Sequence, residues 1–164
     1  MVQRTIFTYS FFFLLLCNIN VLALSPHEPI DIKKSQRLPF SVAMLITHMG
    51  KYEFKVEVAD NQQSRNIGLM HRPQLLESKG MLFDFKRSRV VYMWMRNTFI
   101  PLDMIFISNS GKVRRIYRDA QPHSEDFISS EYLVRAVLEV SSGTADRIGL
   151  RVGDQILHSI FQNK

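Results

Sequence analysis

Met93-Trp94-Met95 sets a thioether on either side of an indole. On an extended strand, residues two apart share a face, so both sulfurs would point one way and Trp94 the other. Thioethers are soft ligands suited to Cu(I), and His48 or His71 could complete such a site. Methionine also fills core gaps against aromatic rings, and the chain's 12 phenylalanines make that use available. Asn97-Thr98 then brings an amide and a hydroxyl to the end of the same stretch. They could line the mouth of a pocket beside Trp94, or satisfy the backbone of a loop.

Four carboxylates stand in notable places: Asp60, Asp103, Glu139 and Asp154. Two of them could act as acid and base in hydrolysis if burial raised the pKa of one. Simpler uses compete. Asp60 sits where a helix N-cap belongs, with Gln63 three residues on. Asp154 follows Gly153 in a turn, and Asp103 follows Pro101-Leu102, where it could accept backbone hydrogen bonds. Glu139 is harder to dismiss, because it lies in the apolar run Ala136-Val137-Leu138-Glu139-Val140. A buried carboxylate needs a partner, and Arg65 or Arg72 is expected to pair with it; a ligand-binding or catalytic role, or plain exposure, are the alternatives. No Ser/His/Asp order, P-loop or dinucleotide glycine pattern is present, and no motif names a cofactor. Nothing here forces an enzyme.

The elements that must position these residues are mostly strands. Phe40–Thr47 is an apolar run, followed by a turn at His48-Met49-Gly50-Lys51. Tyr52–Ala59 alternates with period two, which predicts Phe54, Val56 and Val58 inward and Glu53, Lys55 and Glu57 outward. A helix is expected over Asn61–Leu69, and a further helical turn over Pro73–Ser78. Met81–Phe85 and Val90–Met95 read as two strands linked through Lys86-Arg87-Ser88-Arg89. Asp103–Ser108 and Lys112–Arg118 form a hairpin over Asn109-Ser110-Gly111. Gln121–Glu131 is a polar loop and Tyr132–Val140 a strand. Ser142 is placed to cap a short helix, Gly143–Ile148, that stops at Gly149, and Gln155–Phe161 is a last strand. Seven or eight short strands with two small helices predict an all-β sandwich or flattened barrel.

Ahead of these lies a leader. Arg4 precedes the apolar stretch Ile6–Leu16, and Val21-Leu22-Ala23 offers small residues at the −3 and −1 places of a cut. This is the pattern of a secretory signal peptide, too short to span a bilayer of about 30 Å comfortably. The expected organisation is residues 1–23 as signal peptide, 24–38 as a flexible arm and 39–164 as one β-rich domain. The expected address is periplasmic or extracellular, with a retained anchor as the alternative. The chain would cross a membrane during export without a stable span. Cys17, the only cysteine, falls in the leader, with lipidation there as an alternative that Leu16 before it disfavours; a cut after Ala23 leaves no disulfide and no thiolate ligand. Formal charge is +6, and +5 without Arg4, with the basic residues scattered rather than run together. That reads as a solvated surface, not a nucleic-acid face.

Four stretches carry a resemblance over about residues 54 to 157. They are Val56-Glu57-Val58-Ala59-Asp60 with Arg65-Asn66-Ile67-Gly68-Leu69-Met70-His71-Arg72; Gly80-Met81-Leu82-Phe83-Asp84-Phe85; Trp94 to Phe106; and Val137-Leu138-Glu139-Val140 with Gly143 and Gly149-Leu150-Arg151-Val152-Gly153-Asp154. Together these resemble the domain-of-unknown-function 192 family, with Trp-Met-x-Asn-Thr-x-x-Pro-Leu-Asp as the most specific part. The resemblance implies a jelly-roll-like β-sandwich, often exported, and no settled activity.

The expectation is a monomeric, non-enzymatic, extracytoplasmic domain that binds a small ligand or a soft metal. Its site would gather Trp94, Met95, Asn97, Thr98 and Asp103, with Glu139 and Arg65, and Met93 and Met95 would be the metal pair. One alternative is a hydrolase of envelope material using Asp103 and Glu139, which must then share one cleft roughly 5–9.5 Å apart. The other is a partner-docking module, which needs an exposed apolar patch larger than a few hundred Å².

Overall fold

The computed structural model describes residues 29–161; the leader and Cys17 lie outside the described residues. Strands β1 (Phe40–Thr47) and β2 (Gly50–Ala59) form a hairpin, and helix α1 (Gln62–Ile67) follows. Next come β3 (Lys79–Arg89), the two-residue β4 (Tyr92–Met93), and the hairpin of β5 (Leu102–Ile107) and β6 (Val113–Ala120). The chain ends with β7 (Ile128–Ser129), β8 (Val134–Ser141), α2 (Thr144–Arg147) and β9 (Gln155–Leu157).

Seven strands make one sheet in the order β6-β5-β8-β3-β2-β1-β9, and β4 pairs with β7 in a small second sheet. Only β2 and β3 run parallel, so α1 and the loop after it serve as their crossover. The sheet curls until its ends meet. Val113 N–H donates to the Asp154 carbonyl at 2.9 Å, and Ile156 N–H to that of Gly111 at 2.8 Å. The result is an all-β, flattened barrel-like fold with two short helices, as the strand pattern predicts.

Both faces of the sheet are covered. One carries Leu45, Phe54, Val56, Leu82, Ile105 and Leu138, closed by α2 and Phe161. The other carries Met81, Phe83, Met104, Phe106 and Val137, covered by Leu69, Met93 and Met95. This explains why β5 and β8 are nearly continuous apolar runs: with both faces buried, alternation disappears.

Several expectations are corrected. Glu57 does not face out; it is buried, because the second apolar layer reaches β2, and Arg72 grips it with bonds of 2.7 and 2.8 Å. Helix α1 is capped by Asn61, whose side chain accepts from Ser64 N–H, while Asp60 instead pairs with Lys86 at 3.1 Å. Pro73–Ser78 forms no helix. Lys86–Arg89 is not a linker but part of β3, which bulges against β8 between Asp84 and Arg89. The strand expected over Val90–Met95 shrinks to Tyr92–Met93, since β7 offers only two residues to pair with. The last strand stops at Leu157 and becomes a 3₁₀ turn. Gly143, in a left-handed conformation, stands at the start of α2 without a side-chain cap, and Ser142 donates to Asp119 instead. Gly149 does end that helix; at φ +61°, a Cβ there would meet Met49 Sδ at 2.4 Å. Finally, the end of the expected flexible arm is fastened down. Gln36 Nε2 donates to the Ser64 and Gly68 carbonyls at 2.7 and 3.0 Å, and Leu38 N–H donates to Glu57 at 2.6 Å.

Candidate functional site

Helix α1 presents Gln62, Arg65 and Asn66, three and four residues apart, on one side. Opposite stand Phe83 and Phe85 of β3, with Arg89 brought alongside by the bulge. Tyr92, Met93 and Trp94 close the third side. Period two holds here: Met93 goes inward, while Tyr92 and Trp94 stay exposed. Phe127, just before β7, completes the rim. Its ring lies 6.0 Å from Trp94, nearly parallel, and 6.1 Å from Tyr92, edge-on. These residues enclose a pocket of about 210 Å³.

A second, smaller chamber of about 30 Å³ shares Arg65, Asn66, Phe83, Met93 and Trp94 with it. Gly68, at φ +50°, lets the loop after α1 close over this chamber, since a Cβ there would sit 3.1 Å from the Phe83 ring. Thr98 and Glu139 also line it.

Glu139 is the exceptional group. Four carboxylates are buried among the described residues: Glu57, Asp84, Asp103 and Glu139. Glu57 has Arg72; Asp84 has Arg135 at 3.3 Å and the Lys86 N–H at 2.8 Å; Asp103 has two backbone donors. Glu139 is 4% exposed, lines the chamber, and has no hydrogen-bond partner among the described residues. Its register partners on both sides are Met81 and Met104, which offer no charge. Burial pushes its carboxyl up to about 8, so at neutral pH it is uncharged and can donate as well as accept. The expected pairing with arginine is therefore corrected. Arg72 belongs to Glu57, and Arg65 donates to the Asp84 carbonyl at 2.9 Å and to Gln62 at 3.4 Å.

Of the residues predicted from sequence, Trp94, Thr98, Arg65, Glu139 and Met93 meet around these two spaces. Met95 does not. It is fully buried in the core, its N–H donating to Ser124 and its carbonyl accepting from Thr98. Met93 and Met95 do share a core, as their spacing predicts, but only Met93 reaches the pocket. Asn97 works through its backbone: it adopts φ +52° in the turn after Met95, and its carbonyl accepts from His71 N–H at 2.9 Å.

Asp103 lies elsewhere. Met104 is the register partner of Glu139 and Asp103 that of Val140, so Asp103 and Glu139 point to opposite faces of the sheet. A two-carboxylate hydrolytic centre built on this pair is thereby ruled out. Asp103 accepts from Ala145 N–H at 2.8 Å and Asp119 N–H at 3.0 Å, supplying the cap that α2 lacks in its own sequence. Asp103→Ala is expected to cost on the order of 3 kcal/mol in urea denaturation and leave ligand binding at the pocket unchanged. A near-neutral effect would mean the cap is dispensable.

The structure also joins a pair that sequence order conceals. Ser41 Oγ and His158 Nε2 lie 2.8 Å apart. His158 Nδ1, however, accepts from Ile160 N–H at 3.3 Å, which leaves the neutral ring's proton on Nε2. His158 therefore donates to Ser41 and cannot serve as its base. Burial lowers its pKa, which keeps it neutral.

Tyr92, Phe127, Arg89, Gln62 and Asn66 are missing from the predicted site. The Tyr92-x-Trp94 spacing carried a signal for the first; Phe127, in a loop, carried none.

Comparison with known proteins agrees with this architecture. The family described as "Uncharacterized ACR" (DUF192) matches residues 44–158. A crystal structure from Sinorhizobium meliloti 1021, described as a "putative transcription regulator", is 41% identical, covers 77% of this chain and 98% of its own, and superposes with a TM-score of 0.74. A protein of unknown function from Novosphingobium aromaticivorans DSM 12444 is 32% identical, covering 74% of this chain and 86% of its own, with a TM-score of 0.72. No curated protein matches the chain.

Proposed function

Because the chain belongs to the domain-of-unknown-function 192 family, whose description names no activity, we propose its function from the pocket: an extracytoplasmic, non-enzymatic domain that binds a small organic molecule. The observation that carries this reading is Glu139. A buried carboxyl without a partner costs stability, and a ligand that hydrogen-bonds to it would recover that cost. The aromatic rim supplies the apolar contact that small-molecule sites need, with a few polar groups for orientation. The aromatic rim and the separation of Met93 from Met95, which is buried in the core, favour an organic ligand over Cu(I) held by that pair. Exposed rings also suit a docking surface, but the recess behind them favours a small guest. Export is proposed from the sequence alone, from Arg4, the apolar stretch Ile6–Leu16 and the Val21-Leu22-Ala23 cut site. A regulator's nucleic-acid partner, suggested by the description of the S. meliloti protein, finds little support, since several arginines are already paired with acids.

Trp94 is the only tryptophan, so its fluorescence reports the pocket directly. A hit from a small-molecule screen read this way is expected to bind about tenfold more weakly to Tyr92→Ala or Phe127→Ala, given roughly 0.5–1.5 kcal/mol per aromatic contact beyond buried area. Both rings are more than 60% exposed, so folding should be unaffected. Unchanged affinity in both variants, measured by calorimetry, would remove the site from this pocket.

A further inference from the structure

Two guanidinium groups stand beside the pocket without an acid. Arg65 and Arg89 lie 5.4 and 4.8 Å from the centre of the Phe85 ring. Among the described residues neither forms an ion pair; Arg65 reaches only a carbonyl and an amide oxygen. Six other described arginines meet carboxylates and four more do not, but of the unpaired ones only Arg65 and Arg89 line this pocket. The pocket therefore has unneutralised positive charge at its wall and aromatic faces at its rim, and the chamber that shares its lining holds an unpartnered carboxyl. At about 210 Å³ it is smaller than sites for drug-sized ligands, which start near 300 Å³, and has room for roughly one ring.

We propose that the ligand is a single-ring organic acid: its carboxylate is held by Arg65 and Arg89, its ring lies against the aromatic rim, and a polar substituent at the far end reaches Glu139. The inference rests on the pocket reading above and adds the charge and size of the guest. A planar guanidinium matches a carboxylate with two parallel hydrogen bonds, which a neutral amide cannot reproduce. Stacking alone accepts either an aromatic ring or the apolar face of a sugar ring. An aromatic carboxylate and a uronic acid thus present the same chemistry, and the experiment separates them.

The test titrates the protein with 4-hydroxybenzoate and its neutral analogue 4-hydroxybenzamide, and with galacturonate and its neutral analogue galactose, following Trp94 fluorescence and heat. One acid is expected to bind saturably, at least tenfold more tightly than its neutral counterpart. Which acid does so identifies the ring type. Arg89→Met, a change at an exposed side chain, should erase most of that preference, as should Arg65→Met if its melting curve matches wild type. Equal binding of acid and neutral analogue, lost in Phe127→Ala, would overturn the organic-acid inference and leave the pocket reading intact. Absence of binding by all four probes would overturn both.

Discussion

Glu139→Gln removes a pH dependence that the wild-type domain is expected to show between pH 4.5 and about 8. The sign follows from the direction of the shift. The folded state holds the Glu139 proton up to about 8, while the unfolded chain releases it near 4.5. The carboxyl costs least below the unfolded value, where it is protonated in both states, and its penalty grows as pH rises until the folded value is passed. At about 1.4 kcal/mol per pH unit, the total loss is on the order of 5 kcal/mol. Other groups titrate nearby with the opposite tendency. Burial raises Glu57 and Asp84, but Arg72 with the Leu38 N–H, and the Lys86 N–H with Arg135, more than offset it, so both pKa values fall; these contributions are lost below about pH 4. The difference between wild type and Glu139→Gln isolates residue 139. Urea denaturation at pH 5 and pH 8.5 should give wild type the steeper decline by several kcal/mol. Parallel curves for the two proteins would show that Glu139 is solvated or paired, and the pocket reading would lose its main support.

Arg72→Met should be the most damaging single change, by about 3–5 kcal/mol, because it leaves the Glu57 carboxylate buried and alone. Glu57 and Arg72 are both at least 94% buried, and their bidentate bonds are joined by the Gln36 carbonyl, which accepts from Arg72 at 2.6 Å. A buried pair is often worth no more than well-packed apolar residues of the same volume, so Glu57→Leu combined with Arg72→Met should recover much of the loss. Arg118→Ala, which breaks an exposed pair with Asp146, serves as the control and should cost under about 1 kcal/mol. If Arg72→Met falls in the same range as that control, the pair is wetter than its geometry indicates.

These two buried acids show where sequence reading works and where it stops. The β class followed from period-two alternation in Tyr52–Ala59 and from the turn residues around Asn109-Ser110-Gly111. Alternation assumes one dry face, and at Glu57 the second layer had already begun, so the pattern placed the side chain outside. The apolar run around Glu139 correctly marked it as unusual. Its lack of a partner, however, depends on which strands flank β8, and β3, β5 and β8 are far apart in sequence. Likewise nothing local to Asp103 and Glu139 shows that register sets them on opposite faces. Trp94 and Thr98 are legible because they fall in one short stretch. Phe127 and Arg89 join them only through the β4–β7 pairing and the β3 bulge, features of register that no local pattern encodes.

The bonds from Gln36 to the end of α1 give the chain's N-terminal approach a mechanical meaning. Gln36 binds the carbonyls of Ser64 and Gly68, the residues that bracket Arg65 and Asn66, and Arg72 binds Gln36 in return. Any pull on the preceding chain is therefore shared between the wall of the pocket and, through Arg72 and Glu57, strand β2. A chain begun at Pro39 would fold with that wall unbraced.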